Sequence, residues 1–371
     1  MKSSWQLVFG EHSLNFFFWC INIKRRIFEK TIDMGVDRIV FSVSLGGIIL
    51  IGGAFNLSVL RILTKEKKLR KNIPSNFLIN LLVIDLINIF FVMPFSFVSM
   101  INPTWIPPAG LQKLNGFLGT TVELASMLAL AIISLDRLAA VMKPLEYKAR
   151  MTVCKAVQFN SCVWIQSLFF AVVPVFCDWF IFNERYFSCT LLSQSNEDGF
   201  YVFMGFLISC NFLLSLCIII ATYLYIFRVA RSHHKRISRA ILPKNIFTLE
   251  NQTRHESFRQ REIRTASKIL FVIGAFIVCH LPYASLRMME LNKNRHLVNI
   301  SQTFTISTKW ASFSKSSLNP FIYFLQQQRF RKAFARLFKS TRTSFRSQKS
   351  NKISPKKLDN NHIVNNTTFQ T

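Results

Sequence analysis

The chain has 371 residues, of which 50% are hydrophobic and 14% aromatic, and it carries a formal net charge of +28. This composition is typical of a membrane protein. The basic residues flank apolar segments as interrupted clusters, which argues against nucleic-acid binding and favours contact with anionic lipid headgroups or an acidic protein partner.

Seven apolar segments follow one another along the chain. A transmembrane helix needs about 20 predominantly apolar residues, and segments of this kind occur at 39–63, 75–99, 111–141, 154–176, 200–228, 263–289 and 302–325. They predict an all-α membrane protein, a bundle of seven transmembrane helices. The predicted regions are an N-terminal segment at 1–38, the seven-helix domain at 39–325, a short amphipathic helix at 326–339 and a disordered tail at 340–371.

Positive charge is concentrated on one side of the predicted membrane. Lys and Arg follow the first span at 65–71 and the third at 143–155, and they fill the loop at 228–268 and the C-terminal tail. By the positive-inside rule this side is cytoplasmic. We therefore predict a multi-pass protein of the plasma membrane with an extracellular N-terminus. A basic cluster at 24–30 opposes this orientation without outweighing it.

Polar motifs occur at ordered places in these apolar segments. Polar groups are costly in lipid, so such residues are functional candidates. In chain order the motifs are Asn56 after Gly52–Phe55, the run Asn80–Leu86 with Asp85 inside it, Ser126, the triplet Asp136–Leu138, the segment Pro144–Tyr147, Trp164, Pro174, Tyr223, Phe276, the run Cys279–Pro282, Trp310, and the segment Asn319–Tyr323 followed by Phe330–Phe334.

This ordered set resembles that of the rhodopsin-like (class A) G-protein-coupled receptors over roughly residues 39–339, with no subfamily indicated. The resemblance implies a receptor and not an enzyme, with no cofactor and no metal site, whose cytoplasmic side couples to a heterotrimeric G protein. It also implies that 326–339 forms helix 8 along the lipid of the inner leaflet. A receptor kinase would phosphorylate Ser and Thr in the tail, and arrestin would then bind there.

The resemblance assigns an activation switch to seven residues: Asp136, Arg137, Tyr223, Glu262, Asn319, Pro320 and Tyr323. In the resting state, Asp136 and Glu262 would hold Arg137 and thereby latch the third span to the sixth. The alternative is that Glu262 is one solvated charge in a basic loop. Activation would swing the inner end of the sixth span outward about Pro282, because proline bends helices.

Two further groups follow from the resemblance. The toggle of the sixth span comprises Phe276, His280 and Pro282, and His280 replaces the family's tryptophan. This histidine is either simply packed and hydrogen-bonded or, with an ordinary pKa of about 6.5, a proton-sensitive toggle. The central polar site comprises Asn56, Asp85, Ser126 and Lys315. Lys315 replaces an asparagine beside the family's sodium site, so its ammonium would neutralise Asp85 directly and replace the ion.

The candidate ligand pocket consists of Gly119, Glu123, Tyr283, Arg287 and Lys309. Gly119 falls where amine receptors of the family carry an aspartate, so an amine anchored in that way is not expected. Glu123 and Lys309 form an internal ion pair across the pocket floor or hold charged groups of a ligand. The short outer loops favour a small molecule or short peptide, and the basic outer ends of the sixth and seventh spans favour an acidic one.

Several positions depart from the family pattern. Gln112 replaces the cysteine that begins the third span, so Cys189 in the outer loop either pairs with Cys20 or stays free. Ser215 replaces a proline, which would leave the fifth span straighter. Asn299 begins a glycosylation sequon. The departures keep open a receptor fold without G-protein coupling, whereas a transporter is disfavoured because the chain has no internal repeat.

Overall fold

The computed structural model describes residues 34–66, 73–102, 104–192, 198–239, 246–290 and 300–326. These residues form helices and one two-stranded hairpin. The elements are α1 (Met34–Lys65), α2 (Ile73–Ile87), α3 (Met93–Ile101), α4 (Ala109–Met142), α5 (Pro144–Arg150), α6 (Val153–Phe176), β1 (Phe180–Asn183), β2 (Ser188–Leu191), α7 (Asp198–Leu207), α8 (Leu214–Arg239), α9 (Ile246–Glu290) and α10 (Gln302–Gln326). The predicted helix 8 and tail lie outside the described residues.

Six helical segments within the described ranges are long and apolar enough to cross a bilayer. They are span one (Arg38–Lys65), span two (Ile73–Ile101), span three (Ala109–Met142), span four (Val153–Phe176), span five (Asp198–Ser232) and span six (Glu262–Glu290). Helix α10, here span seven, has 25 residues and is therefore about 37 Å long, enough to cross as well. It is less apolar than the other spans because it contains polar residues such as Lys309, Lys315 and Asn319. All three are buried within the bundle.

The outside of the bundle is apolar and its centre is span three. Leu50, Phe176 and Val278 are 74%, 82% and 73% exposed, an arrangement that suits contact with lipid tails. Span three contacts spans two, four, five and six, while span seven packs against spans six and one. Polar side chains that the sequence scatters over several spans therefore meet around span three.

Two π-helical turns interrupt the spans, at Asn88–Val92 in span two and at Ile208–Leu213 in span five. The second lies just before Ser215, the residue whose replacement of proline predicted a straighter span five. The expectation of a straighter span stays a prediction, and it is opposed by the π turn, since such a turn breaks the regular α-helical hydrogen bonding and is a recognised cause of helix bends.

The hairpin β1–β2 covers the extracellular end of span three. Its strands pair antiparallel with Phe180 opposite Leu191 and Phe182 opposite Cys189. Phe180 packs in a small core with Trp179 and Leu191. Span three meets this core at Gly116, where an added Cβ would lie 2.4 Å from the Phe180 ring. Glycine is needed at this position because the hairpin approaches the helix backbone too closely for any side chain.

Candidate functional site

Arg137 lies at the cytoplasmic end of span three and is fully buried. Its guanidinium donates to the Asp136 carboxylate, with Nε 3.0 Å from Oδ2, and its Nη1 lies 3.3 Å from Oε2 of Glu262. Glu262 begins span six, and its side chain is 22% exposed. The structure therefore brings together the three charged residues of the predicted latch, and the Glu262 carboxylate contacts the arginine.

Tyr147 adds a contact that the sequence analysis missed. It lies on the short helix α5, and its hydroxyl donates to Oδ1 of Asp136 over 2.5 Å. Burial, together with the negative charge of Asp136, raises the pKa of Tyr147, so the phenol stays a donor at physiological pH. The Pro144–Tyr147 motif was the available signal, but sequence alone does not show that it reaches Asp136.

The remaining switch residues are distributed over spans five and seven. Tyr223 is buried in span five, and Asn319 donates to Oδ2 of Asp85 over 2.9 Å. Pro320 lies inside helix α10. The backbone of Tyr323 belongs to the same helix, but its side chain lies outside the described part of the structure.

The central polar site is a hydrogen-bonded junction of spans one, two and seven. Asn56 donates to the carbonyl of Ser316 over 2.9 Å, and Asn88 donates to the Ser316 hydroxyl over 3.1 Å. Ser126 turns back to its own helix and donates to the Val122 carbonyl. Asn88 and Ser316 were not predicted, because an amide and a hydroxyl inside an apolar span carry no distinctive spacing.

The sequence predicted a direct contact between Lys315 and Asp85, and the structure does not show one. The Lys315 Nζ lies 3.5 Å from Nδ1 of His280 and 4.6 Å from the centre of the Phe276 ring. Asn319 already donates to the Asp85 carboxylate, while the negative face of an aromatic ring attracts an ammonium. The ammonium therefore lies in the toggle region, one layer outward of the aspartate.

A cavity of about 130 Å³ lies between span three and spans five, six and seven, beneath strand β2. All five predicted pocket residues line it: Gly119, Glu123, Tyr283, Arg287 and Lys309. His280 lines it too, with its ring packed against Phe276 at 5.4 Å between centres. The cavity thus connects the candidate ligand pocket with the candidate toggle.

Glu123 and Lys309 do not form the direct ion pair that was one of the two predicted outcomes. Oε1 of Glu123 lies 3.5 Å from Nδ1 of His280. The Lys309 Nζ lies 4.1 Å from the centre of the Tyr283 ring and 5.0 Å from that of Phe313. A cation over a desolvated aromatic face gains on the order of 2 kcal/mol, which favours this placement of the ammonium.

Arg287 ties the hairpin to span six. Its guanidinium forms an ion pair with Glu290 and donates to the backbone carbonyl of Leu191 in β2. The Tyr186 hydroxyl donates to the other oxygen of Glu290 over 2.8 Å. Tyr186 is fully buried, and burial together with Glu290 raises its pKa, so it remains a donor. Glu290 and Tyr186 were not predicted.

Gln112 takes part in holding the hairpin against span three. Its Oε1 accepts from the backbone N–H of Phe182 over 2.9 Å, and its Nε2 donates to the Pro107 carbonyl over 2.8 Å. Cys189 forms no disulfide with any described cysteine, and burial raises the pKa of its thiol to about 12. Its predicted partner Cys20, like the predicted glycosylation site at Asn299, lies outside the described residues. The amide of Gln112 therefore stands where the family has a cysteine, and it forms a hydrogen bond with the hairpin instead of a disulfide.

Replacing Gln112 with alanine should lower the thermal stability of the purified protein. The Phe182 N–H would lose its acceptor, which costs about 1–2 kcal/mol and corresponds to a fall of roughly 2–4 °C in the melting temperature. Gln112→Glu keeps an oxygen that can accept from Phe182 but loses the donor to Pro107, so its melting temperature should fall between those of Gln112→Ala and the wild type. If both variants have the same melting temperature as the wild type, the hydrogen bonds of the Gln112 side chain have no stabilising role.

The comparisons with known proteins agree with this architecture. The family model of the 7 transmembrane receptor (rhodopsin family) matches residues 55–323. The Homo sapiens G-protein coupled receptor 26 is 31% identical over 287 residues, which are 75% of this chain and 84% of that receptor. The Homo sapiens histamine H2 receptor is 28% identical over 330 residues, 86% of this chain and 87% of that receptor. The crystal structure of squid rhodopsin superposes with a TM-score of 0.70 at 22% identity, covering 84% of this chain and 88% of that one.

The bundle and its matches define a seven-transmembrane receptor, and the predicted fold class is confirmed. The chain belongs to the rhodopsin family of these receptors. It is a multi-pass membrane protein and a receptor of the G-protein-coupled class, not an enzyme. The resemblance inferred from the ordered motifs is thereby confirmed.

Proposed function

We propose that this receptor transmits an extracellular ligand signal to heterotrimeric G proteins through outward movement of the inner end of span six. The observation that carries the proposal is the contact of Arg137 with Glu262, which joins spans three and six at the cytoplasmic end. A charge-assisted hydrogen bond of this kind favours the closed arrangement. Breaking it would release span six and open a cytoplasmic cleft for the G protein.

The cavity and the toggle residues of span six connect the ligand site with the contact between Arg137 and Glu262. His280 lines the cavity and packs on Phe276 one turn further inward, and Pro282 lies in the same helix. A ligand that fits the cavity better when span six has moved would shift the population toward the open state. In this mechanism Tyr223, Asn319, Pro320 and Tyr323 hold the rearranged inner ends.

The other parts of the proposal concern regions outside the described residues. The N-terminus is extracellular, helix 8 at 326–339 lies on inner-leaflet lipid, and the tail at 340–371 receives phosphate from a receptor kinase and then binds arrestin.

The ligand is a small molecule or short peptide. Two relatives are named for histamine and octopamine, but the glycine at position 119 gives this chain no carboxylate there for an amine.

Nucleotide exchange on a purified heterotrimeric G protein tests the coupling. The wild-type receptor in lipid nanodiscs should accelerate exchange, and Arg137→Ala should reduce the acceleration at least tenfold because the switch loses its cation. Arg137→Lys keeps the charge without the forked geometry and should fall between them. Equal melting temperatures exclude misfolding as the cause. Absence of exchange with the well-folded wild type, ligand-free and with bound ligand, would instead support a receptor fold without coupling.

A further inference from the structure

Several buried polar groups around the cavity have no hydrogen-bond partner among the described residues. They are the hydroxyls of Ser188 and Thr190 on β2 and Nδ2 of Asn211 in the π turn of span five. All three residues line the cavity, and they are 3%, 5% and 1% exposed. Buried polar groups are normally hydrogen-bonded, because leaving one unpaired costs roughly 1–3 kcal/mol. The cavity walls thus include polar residues whose hydrogen-bonding capacity the described residues do not fill.

Two oppositely charged side chains that line the cavity, Glu123 and Lys309, form no direct ion pair with each other. The Glu123 side chain keeps 32% of its surface accessible, and its Oε1 lies 3.5 Å from Nδ1 of the His280 ring. Lys309 is 8% exposed, and its ammonium lies over aromatic rings with no described oxygen atom within hydrogen-bond distance. Arg287, by contrast, is already taken by Glu290 and the Leu191 carbonyl. One carboxylate and one ammonium therefore remain for a ligand.

The size and the walls of the cavity limit the ligand further. A volume of about 130 Å³ is small beside the roughly 300–1,000 Å³ of pockets for drug-sized molecules, so the ligand must be small. Apolar side chains complete the wall, among them Leu124, Met204 and Phe212. A small molecule with an apolar part fits these conditions.

We propose that the cavity binds a small zwitterion of the amino-acid class, with an apolar side chain, whose ammonium pairs with Glu123 and whose carboxylate pairs with Lys309. A simple amine would leave the Lys309 ammonium without a counter-charge. A simple acid would bring a second carboxylate near Glu123, where like charges repel in a low-dielectric site. This inference rests on the proposed function, because it names the ligand class of the same receptor pocket.

Thermal unfolding of the purified receptor tests the proposal with probes of matched carbon skeleton. One series is L-phenylalanine, 2-phenylethylamine and 3-phenylpropionate, and the other is L-leucine, 3-methylbutylamine and 4-methylpentanoate. At least one amino acid should raise the melting temperature, with half-saturation at least tenfold lower than for its amine and its acid. An amine or an acid that binds as well as the amino acid would overturn the proposal, as would no shift in either series.

Charge variants of the pocket give a second test with the same probes. Glu123→Gln should weaken binding of the amino acid at least tenfold and leave binding of the acid unchanged. Lys309→Gln should weaken binding of the amino acid at least tenfold and leave binding of the amine unchanged. Lys113→Gln is the matched control, since Lys113 pairs with Asp178 outside the cavity. Equal losses for all three probes in both variants would assign the two charges a structural role and overturn the proposal.

Failure of this inference can be told apart from failure of the proposed function. Binding to the purified receptor needs no G protein, so the thermal shift of the wild-type receptor reports on the ligand class alone. A thermal shift without nucleotide exchange would uphold the ligand class and contradict coupling. Exchange without any thermal shift in the two series would uphold coupling and contradict the ligand class.

Discussion

Replacing Glu262 with alanine should raise ligand-free signalling about fivefold. The substitution removes one of the two carboxylates that hold Arg137 and leaves Asp136 in place. Loss of a partly exposed charge-assisted contact is worth about 1 kcal/mol, and RT of 0.59 kcal/mol converts this into roughly a fivefold change in the ratio of open to closed receptor. The measurement is second-messenger output in cells, normalised to receptor at the surface.

The control for this prediction is another carboxylate on the same side of the membrane. Glu146 pairs with Lys143 and Arg150 on the exposed face of α5, so Glu146→Ala removes the same charge without touching the latch. Glu262→Gln keeps an acceptor for Arg137 and should give an intermediate rise. A basal output of Glu262→Ala no higher than that of Glu146→Ala would show that the contact does not restrain span six.

Sodium should have little effect on the wild-type receptor, whereas Lys315→Asn should make it sodium-sensitive. Lys315 points toward His280, yet its positive charge still acts on the Asp85 carboxylate. Repulsion between an ammonium and a sodium ion in this low-dielectric interior should weaken sodium binding at least tenfold. Exchange of sodium chloride for the N-methylglucamine salt should therefore shift the melting temperature of the variant only.

Lys309→Asn is the matched control for the sodium experiment. It removes an ammonium from the same helix, but one that lies on the Tyr283 ring in the ligand cavity. This variant should remain insensitive to sodium. Stabilisation of the wild type by sodium would contradict the prediction, because it would mean that the ion reaches Asp85 despite Lys315.

The sequence allowed prediction of the helices and of the residues at the latch, but not of the directions of long side chains. Apolar spans of sufficient length have few alternatives in lipid, so the bundle follows from hydropathy. The Arg137–Glu262 pair follows from ordered motifs on two such spans. Lys315 was predicted to contact Asp85 and contacts His280 instead, and Lys309 does not form the direct pair with Glu123 that was one of its two predicted outcomes. Their four-carbon stems reach several groups, and the aromatic rings that attract them come from distant parts of the chain.

Contacts across the hairpin were the least predictable part. Gln112 was recognised only as a missing cysteine, and its hydrogen bond to the backbone of Phe182 depends on the exact height of the hairpin above span three. Arg287 was predicted as a ligand contact and lines the cavity, but its contacts with Glu290 and the Leu191 carbonyl were not predicted. Backbone acceptors such as the Leu191 carbonyl carry no sequence signature, so a polar tie to them cannot be inferred from residue types.

The π turn of span five sets the phase between the two halves of that helix. A π turn holds one residue more than an α turn, and one residue of an α-helix corresponds to a rotation of 100°. Deleting a single residue within Ile208–Leu213 would therefore let the π turn relax to an α turn and leave Met204 on the cavity wall, whereas deleting one residue from an α-helical part of the span would rotate Met204 by that angle off the wall. The π turn thus lets span five differ by one residue in length without turning its ligand-facing half out of phase with its cytoplasmic half.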